Sequence, residues 1–158
     1  MKTEGPTVYW DSVVFIARIQ REAGRIAVLE QISDAAERGE LRIVTSTFTM
    51  VEVAKLNQSE TLPEEQERLI VEFFKNSFII LRQVDRRVAT KAREIMRAHS
   101  GVKGKDAVHI ATAVVWNVPV MHTYDEKLTS RNGKIDGLRI EEPRWTGTGS
   151  LLFASETP

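Results

Sequence analysis

Apolar, β-favouring runs separated by helix-length stretches recur along the whole chain, and this alternation constrains the fold more than any single residue does. TVYW (7–10), LRIVTS (41–46), FIILRQV (78–84), VPVMHTY (118–124) and LRIEE (138–142) read as strands. Between the first two, VVFIARIQ moves into a helix, and Ile26, Leu29, Ile32 and Ala36 recur at helical spacing through GRIAVLEQISDAAERGE as far as Gly39. Ser46 or Thr47 can cap a helix over FTMVEVAKLN, Pro63 and a run of acids open PEEQERLIVEFFKN, and Asp85 can cap DRRVATKAREIMRAHS. KDAVHIATAVVWN is apolar almost all round, which predicts a buried helix, and EKLTSRNGKIDG reads as a short helix or turn region. Strands alternating with helices imply an α/β fold of three layers, a central mainly parallel sheet flanked by helices.

A chain of 158 residues, 42% apolar and 28% charged, suits one soluble globular domain. No apolar stretch approaches the roughly 18 residues of a membrane span. The polar start MKTEGPT is not a secretory leader, so the expected location is cytoplasmic, with no membrane partner. Lys and Arg number 22 against 22 Asp and Glu, which excludes nucleic-acid binding through overall basicity and leaves only local patches. Without cysteine there is no disulfide and no thiolate metal site. Any metal must be held by oxygen or by the three histidines.

In open parallel sheets, sites collect at the carboxyl ends of the strands. Asp11 directly follows the first strand and Asp125 directly follows VPVMHTY. Glu52 lies in the second turn of the helix after LRIVTS, and Asp106 opens the buried helix after the basic loop GVKGK. All four acids can meet at one edge. Singly, each has a plain explanation: Asp11, Asp106 and Asp125 stand where an acid caps a helix, and Glu52 can be a solvated glutamate. Together they make a different demand. Two negative charges about 4 Å apart repel by about 4 kcal/mol at an effective dielectric of about 20. A cluster of four needs protonation, separation or a cation. Oxygen-only ligands select a hard ion, Mg2+ or Mn2+, and such ions engage phosphates, which implies a phosphodiester substrate.

Four stretches resemble, in order, the motifs of the PIN domain. YWDSVVFIA is similar to the first, a strand ending in Asp, a small hydroxyl residue and an apolar run. TFTMVEVAKL resembles the second, a helical Glu between apolar residues; KDAVHIATAV the third, an Asp-Ala pair opening a helix; and HTYDEKL the fourth, a hydroxyl residue two before an Asp. The resemblance spans about positions 7 to 140, and in size and arrangement it is to the VapC-type toxins of toxin–antitoxin pairs. Two departures stand out. Val13 replaces the Ser or Asn of many members, and no acid close behind Asp125 supplies an obvious fifth ligand, Asn132 and Asp136 being the nearby groups. The division implied is a PIN-like nuclease domain over 1–142 and a tail over 143–158 whose apolar patch LLFA has no assigned role.

The resemblance implies a Mg2+- or Mn2+-dependent endoribonuclease. Asp11, Asp106 and Asp125 are the expected direct ligands, Glu52 a ligand or the base that holds the attacking water, and Ser12 and Thr123 hydrogen-bonding supports. Lys103, Lys105, Lys127 and Arg131, with Lys134, are placed to contact RNA phosphates, against the plainer reading of solvated cations. A small antitoxin protein and a homodimer are the implied partners. His109, three residues after Asp106, can touch the site, although a hydrogen-bonded core histidine is the commoner case; His99 and His122 read as incidental. The basic helix with Arg86, Arg87, Lys91, Arg93 and Arg97 reads as a solvent face, and Trp10 and Phe15 as core. The alternative is a catalytically degenerate PIN-like interaction protein, with Val13 as its sign. A dehalogenase-like phosphatase needs a second acid two after the first, and position 13 is Val.

Overall fold

The computed structural model describes residues 5–56 and 61–147. Its elements follow in the order β1 (Thr7–Trp10), α1 (Ser12–Ile19), α2 (Ile26–Glu37), β2 (Arg42–Ser46), α3 (Thr47–Glu52), α4 (Glu64–Phe74), β3 (Ile79–Arg82), α5 (Arg86–Ala98), α6 (Gly104–Val115), β4 (Val120–His122), α7 (Glu126–Thr129) and β5 (Arg139–Glu141). The five strands form one sheet in the order β3-β2-β1-β4-β5, and every pairing is parallel.

The strand pleat sorts side chains between two core layers. Val8, Trp10, Ile43 and Val120 join α1, α2 and α4 on one face, while Tyr9, Val44, Met121 and Ile140 join α5 and α6 on the other. Helices therefore cover both faces, which is why Val8, Tyr9 and Trp10, at the centre of the sheet, are all buried instead of alternating. Phe15 anchors the first layer: it is fully buried, edge-on to Trp10 at 5.4 Å and 5.0 Å from the Phe74 ring.

Helix starts follow the side-chain chemistry. Asp11, Ser46, Asp85 and Asp125 cap α1, α3, α5 and α7, each accepting a backbone N–H of the first turn. The helix expected over FTMVEVAKLN is shorter than its sequence suggests. It is α-helical only to Glu52, tightens to a 3-10 turn over Val53–Lys55, and stops at Leu56 in a left-handed conformation with φ 45°. Gln20 Nε2 holds the Leu56 carbonyl at 3.0 Å, tying this break to α1. In the tail, Pro143 is buried and Trp145 packs against the first layer, whereas LLFA lies outside the described residues.

Candidate active site at the carboxyl edge

Each of the four acids is delivered to the carboxyl edge of the sheet by an element boundary. Asp11 sits between β1 and α1, Glu52 at the end of α3, Asp106 in the first turn of α6, and Asp125 between β4 and α7. Their charges act on one another. Glu52 raises the pKa of both Asp11 and Asp106, and Asp125 raises that of Asp106.

Asp11 is the deepest of the four, 4% exposed. Burial pushes its pKa from 3.8 up to about 6, opposed first by the Thr123 hydroxyl, then by the nearby His109 ring and by the Val14 amide, which donates to Oδ1 at 3.2 Å. Thr123 is itself fully buried, and its oxygen accepts the Asp125 amide at 3.1 Å. One hydroxyl thus ties two of the acids together. Ser12 is buried at the start of α1, but its hydroxyl makes no hydrogen bond to another described residue. Val13 points outward, 38% exposed.

Asp106 and Asp125 open into a cleft of about 110 Å³ that Lys103, Lys105, Lys127 and Arg131 also line. Burial raises the Asp106 pKa, the Asp125 charge adds to the rise, and Lys105 opposes it. Four cations against two carboxylates make the rim attractive to an anion. Lys134 is exposed and is not among the cleft residues. Neither group considered for a fifth ligand joins the acids: Asp136 pairs with Lys91 at 3.1 Å, and Asn132 Oδ1 accepts the Ile140 amide at 2.8 Å.

Glu52 and His109 are bound to each other. His109 Nε2 lies 2.5 Å from Glu52 Oε1, and the opposite ring nitrogen, Nδ1, lies 2.6 Å from the Tyr9 hydroxyl. His109 is therefore both the buried, hydrogen-bonded histidine of the plain reading and a direct partner of a site acid. The sequence signal was its spacing of three from Asp106; Tyr9, a hundred residues away, gave none. His122 is buried and neutral, its Nδ1 accepting from Trp10 Nε1 at 3.2 Å, and burial pushes its pKa down to about 3.

Among the described residues, no three His, Asp or Glu side chains converge closely enough to hold a metal ion as they stand. Three of the acids have local partners: His109 engages Glu52, α1 and Thr123 engage Asp11, and the Lys127 amide engages Asp125 at 2.9 Å. The donor chemistry nevertheless fits a hard divalent cation. The ligands on offer are carboxylate oxygens, and Asp11 is an acid whose burial disfavours its charge until a cation arrives.

Among solved structures the chain is similar to Mycobacterium tuberculosis VapC20, a sarcin-ricin loop cleaving toxin, with a TM-score of 0.63 and 13% identity over 78% of this chain and 93% of that one. It is similar to a chain of VapBC2 from Rickettsia felis bound to a DNA fragment from their promoter, with a TM-score of 0.63 and 13% identity over 86% and 98%. For FitAcB from Neisseria gonorrhoeae the TM-score is 0.57 and the identity 18%, over 86% and 97%. At such identities the likeness is one of fold. No curated protein is significantly similar in sequence. The sequence profile of the PIN domain matches residues 8–134, a span holding all four acids. On that match, and with the all-parallel five-stranded sheet to support it, the chain belongs to the PIN domain family.

Proposed function

We propose that this protein is a divalent-metal-dependent endoribonuclease and the toxin of a toxin–antitoxin pair. The observation that carries the reading is the set of four acids at the carboxyl edge, two of them facing a cleft rimmed by four cations. Asp11, Asp106 and Asp125 would hold Mg2+ or Mn2+, with Glu52 as a further ligand or as the group that orients water. Such an ion, when bound, lowers the pKa of its water and offsets charge on the leaving oxygen.

The remaining work falls to this chain. Lys103, Lys105, Lys127 and Arg131 would grip the phosphates on either side of the scissile bond and fix the strand in the cleft. Thr123 would hold Asp11 and the start of α7 in register, so that Asp125 keeps its place beside Asp106. RNA as substrate is the reading that the family supports, and VapC20, similar in fold, is a toxin that cleaves the sarcin-ricin loop. A small antitoxin protein, offering a basic side chain to the acids, and a homodimer are part of the same reading. No helix among the described residues is long and apolar enough to cross a membrane, in keeping with a cytoplasmic place of action.

The test is cleavage of RNA by the full chain in Mn2+ or Mg2+, compared with Asp106→Asn. Metal-dependent cleavage by the wild type and its loss in the variant are expected. Equal cleavage by both sinks the assignment. A second reading, a degenerate PIN domain that binds a partner without cutting, is favoured by one observation: Glu52 is already committed to His109. Titration with Mn2+ separates the two, since a degenerate site gains no stability from the ion.

A further inference from the structure

Glu52 ends a short helix whose continuation is a tight turn, so the backbone alone gives its side chain little definition. What defines it lies on α6. His109 is 2% exposed, packed under the Phe48 ring, and bonded through both nitrogens. A carboxylate only accepts, so the proton between Nε2 and Glu52 Oε1 belongs to the imidazole. A neutral imidazole protonated at Nε2 accepts at Nδ1, and the Tyr9 hydroxyl is the donor there. The hydroxyls of Thr45 and Thr112 also lie within hydrogen-bonding reach of Tyr9. Thr45 donates to the Trp10 carbonyl at 2.7 Å and Thr112 to the Val108 carbonyl at 2.7 Å. Tyr9, on the central strand, is thus the fixed end of a buried chain that runs through His109 to Glu52.

We propose that His109 is a positioning residue: held by Tyr9 in its Nε2–H form, it clamps Oε1 of Glu52 and leaves the other carboxylate oxygen as the one available to a divalent cation. The proposal rests on the nuclease reading above for its activity readout but not for its metal readout. The arrangement follows a general pattern in which a group behind a metal-binding side chain fixes its orientation, and loss of such a group lowers metal affinity or activity by about 10–100-fold.

Full-length protein carrying His109→Leu, His109→Gln or Tyr9→Phe would be compared with the wild type for RNA cleavage and for the rise in Tm produced by Mn2+. His109→Leu should lower kcat by about 10–100-fold with little change in KM, and should cut the Mn2+-induced rise in Tm. His109→Gln, whose amide can donate to Glu52, should recover much of both. Tyr9→Phe should fall between them. A side chain that merely fills space ranks Leu above Gln, and that ranking would overturn the proposal. In a Glu52→Gln background, His109→Leu should cost no further activity, because its effect passes through Glu52. An undiminished loss there also overturns it. A wild type that Mn2+ stabilises but that cuts no RNA removes the nuclease reading and leaves the Tm ranking to decide. A wild type indifferent to Mn2+ overturns the proposal itself.

Discussion

Replacing Asp11 by Asn probes the electrostatic tension at the centre of the site. Burial lifts the pKa of this carboxyl from 3.8 to about 6 in spite of the bonds from Thr123 and Val14. Between those values the folded protein keeps a proton that the unfolded chain has released, so stability is full below the lower value and falls as pH rises through the upper one. Above about pH 6 the loss is complete, and at about 1.36 kcal/mol per pH unit it amounts to about 3 kcal/mol. Asn has nearly the same shape, carries no charge, and caps a helix as well as Asp, so α1 keeps its bond from the Val14 amide. The favourable bonds to the ionised form are already contained in that net pKa. The metal-free variant should then be about 3 kcal/mol more stable than the wild type near neutral pH, a rise in Tm of about 6–12 °C for a chain of this size. Near pH 4, where the folded wild type is itself protonated at Asp11, the difference should shrink toward zero. Urea denaturation in EDTA at the two pH values measures both quantities. A variant less stable than the wild type at neutral pH, or an advantage that persists in acid, refutes the burial argument. Adding Mn2+ should reverse the ranking, because the ion stabilises only the chain that retains the carboxylate.

Three further outcomes follow from the same geometry. Thr123→Val removes the hydroxyl shared by Asp11 and the Asp125 amide and should cost about 1–3 kcal/mol in urea denaturation, with a weaker response to Mn2+. Phe15→Ala empties the contact with Trp10 and Phe74 and should cost about 3–5 kcal/mol, seen as a lower denaturation midpoint at unchanged slope. Lys105→Ala and Lys127→Ala should each weaken RNA binding alike for all sequences and lower the salt slope by about 1, read by fluorescence anisotropy in EDTA. A sequence-dependent loss, or an unchanged slope, speaks against phosphate contact.

The strands and their mainly parallel pairing were legible in the sequence because strand-like runs alternate with helix-length stretches, and because a capping side chain marks the start of α1, α3, α5 and α7. The edge to which the four acids go followed from the same alternation. The end of α3 was not legible: FTMVEVAKLN keeps helical spacing past Glu52, and only the tertiary bond from Gln20 to Leu56 reveals where the chain turns left-handed. The His109 chain was half legible. Its offset from Asp106 placed it on the right face of α6, but its partner Tyr9 lies on the opposite side of the sequence and looks like any other apolar strand residue. Periodicity records which face a residue occupies and says nothing of the hydrogen bond it finds there.

Each acid of the site has a compensation supplied by its own neighbourhood. Asp11 has an N-cap amide and a hydroxyl, Glu52 an imidazole, Asp106 the charge of Lys105, and Asp125 the amide of Lys127. These local terms let the sheet edge gather negative charge that would otherwise repel by several kcal/mol. They also set the terms on which a cation competes. An ion gains most at Asp11, where burial still holds the pKa near 6 after its hydrogen bonds are made. Asp11 and the partly buried Asp106 are therefore the groups on which metal affinity should depend most steeply, and Glu52 the one whose contribution is governed by a residue behind it.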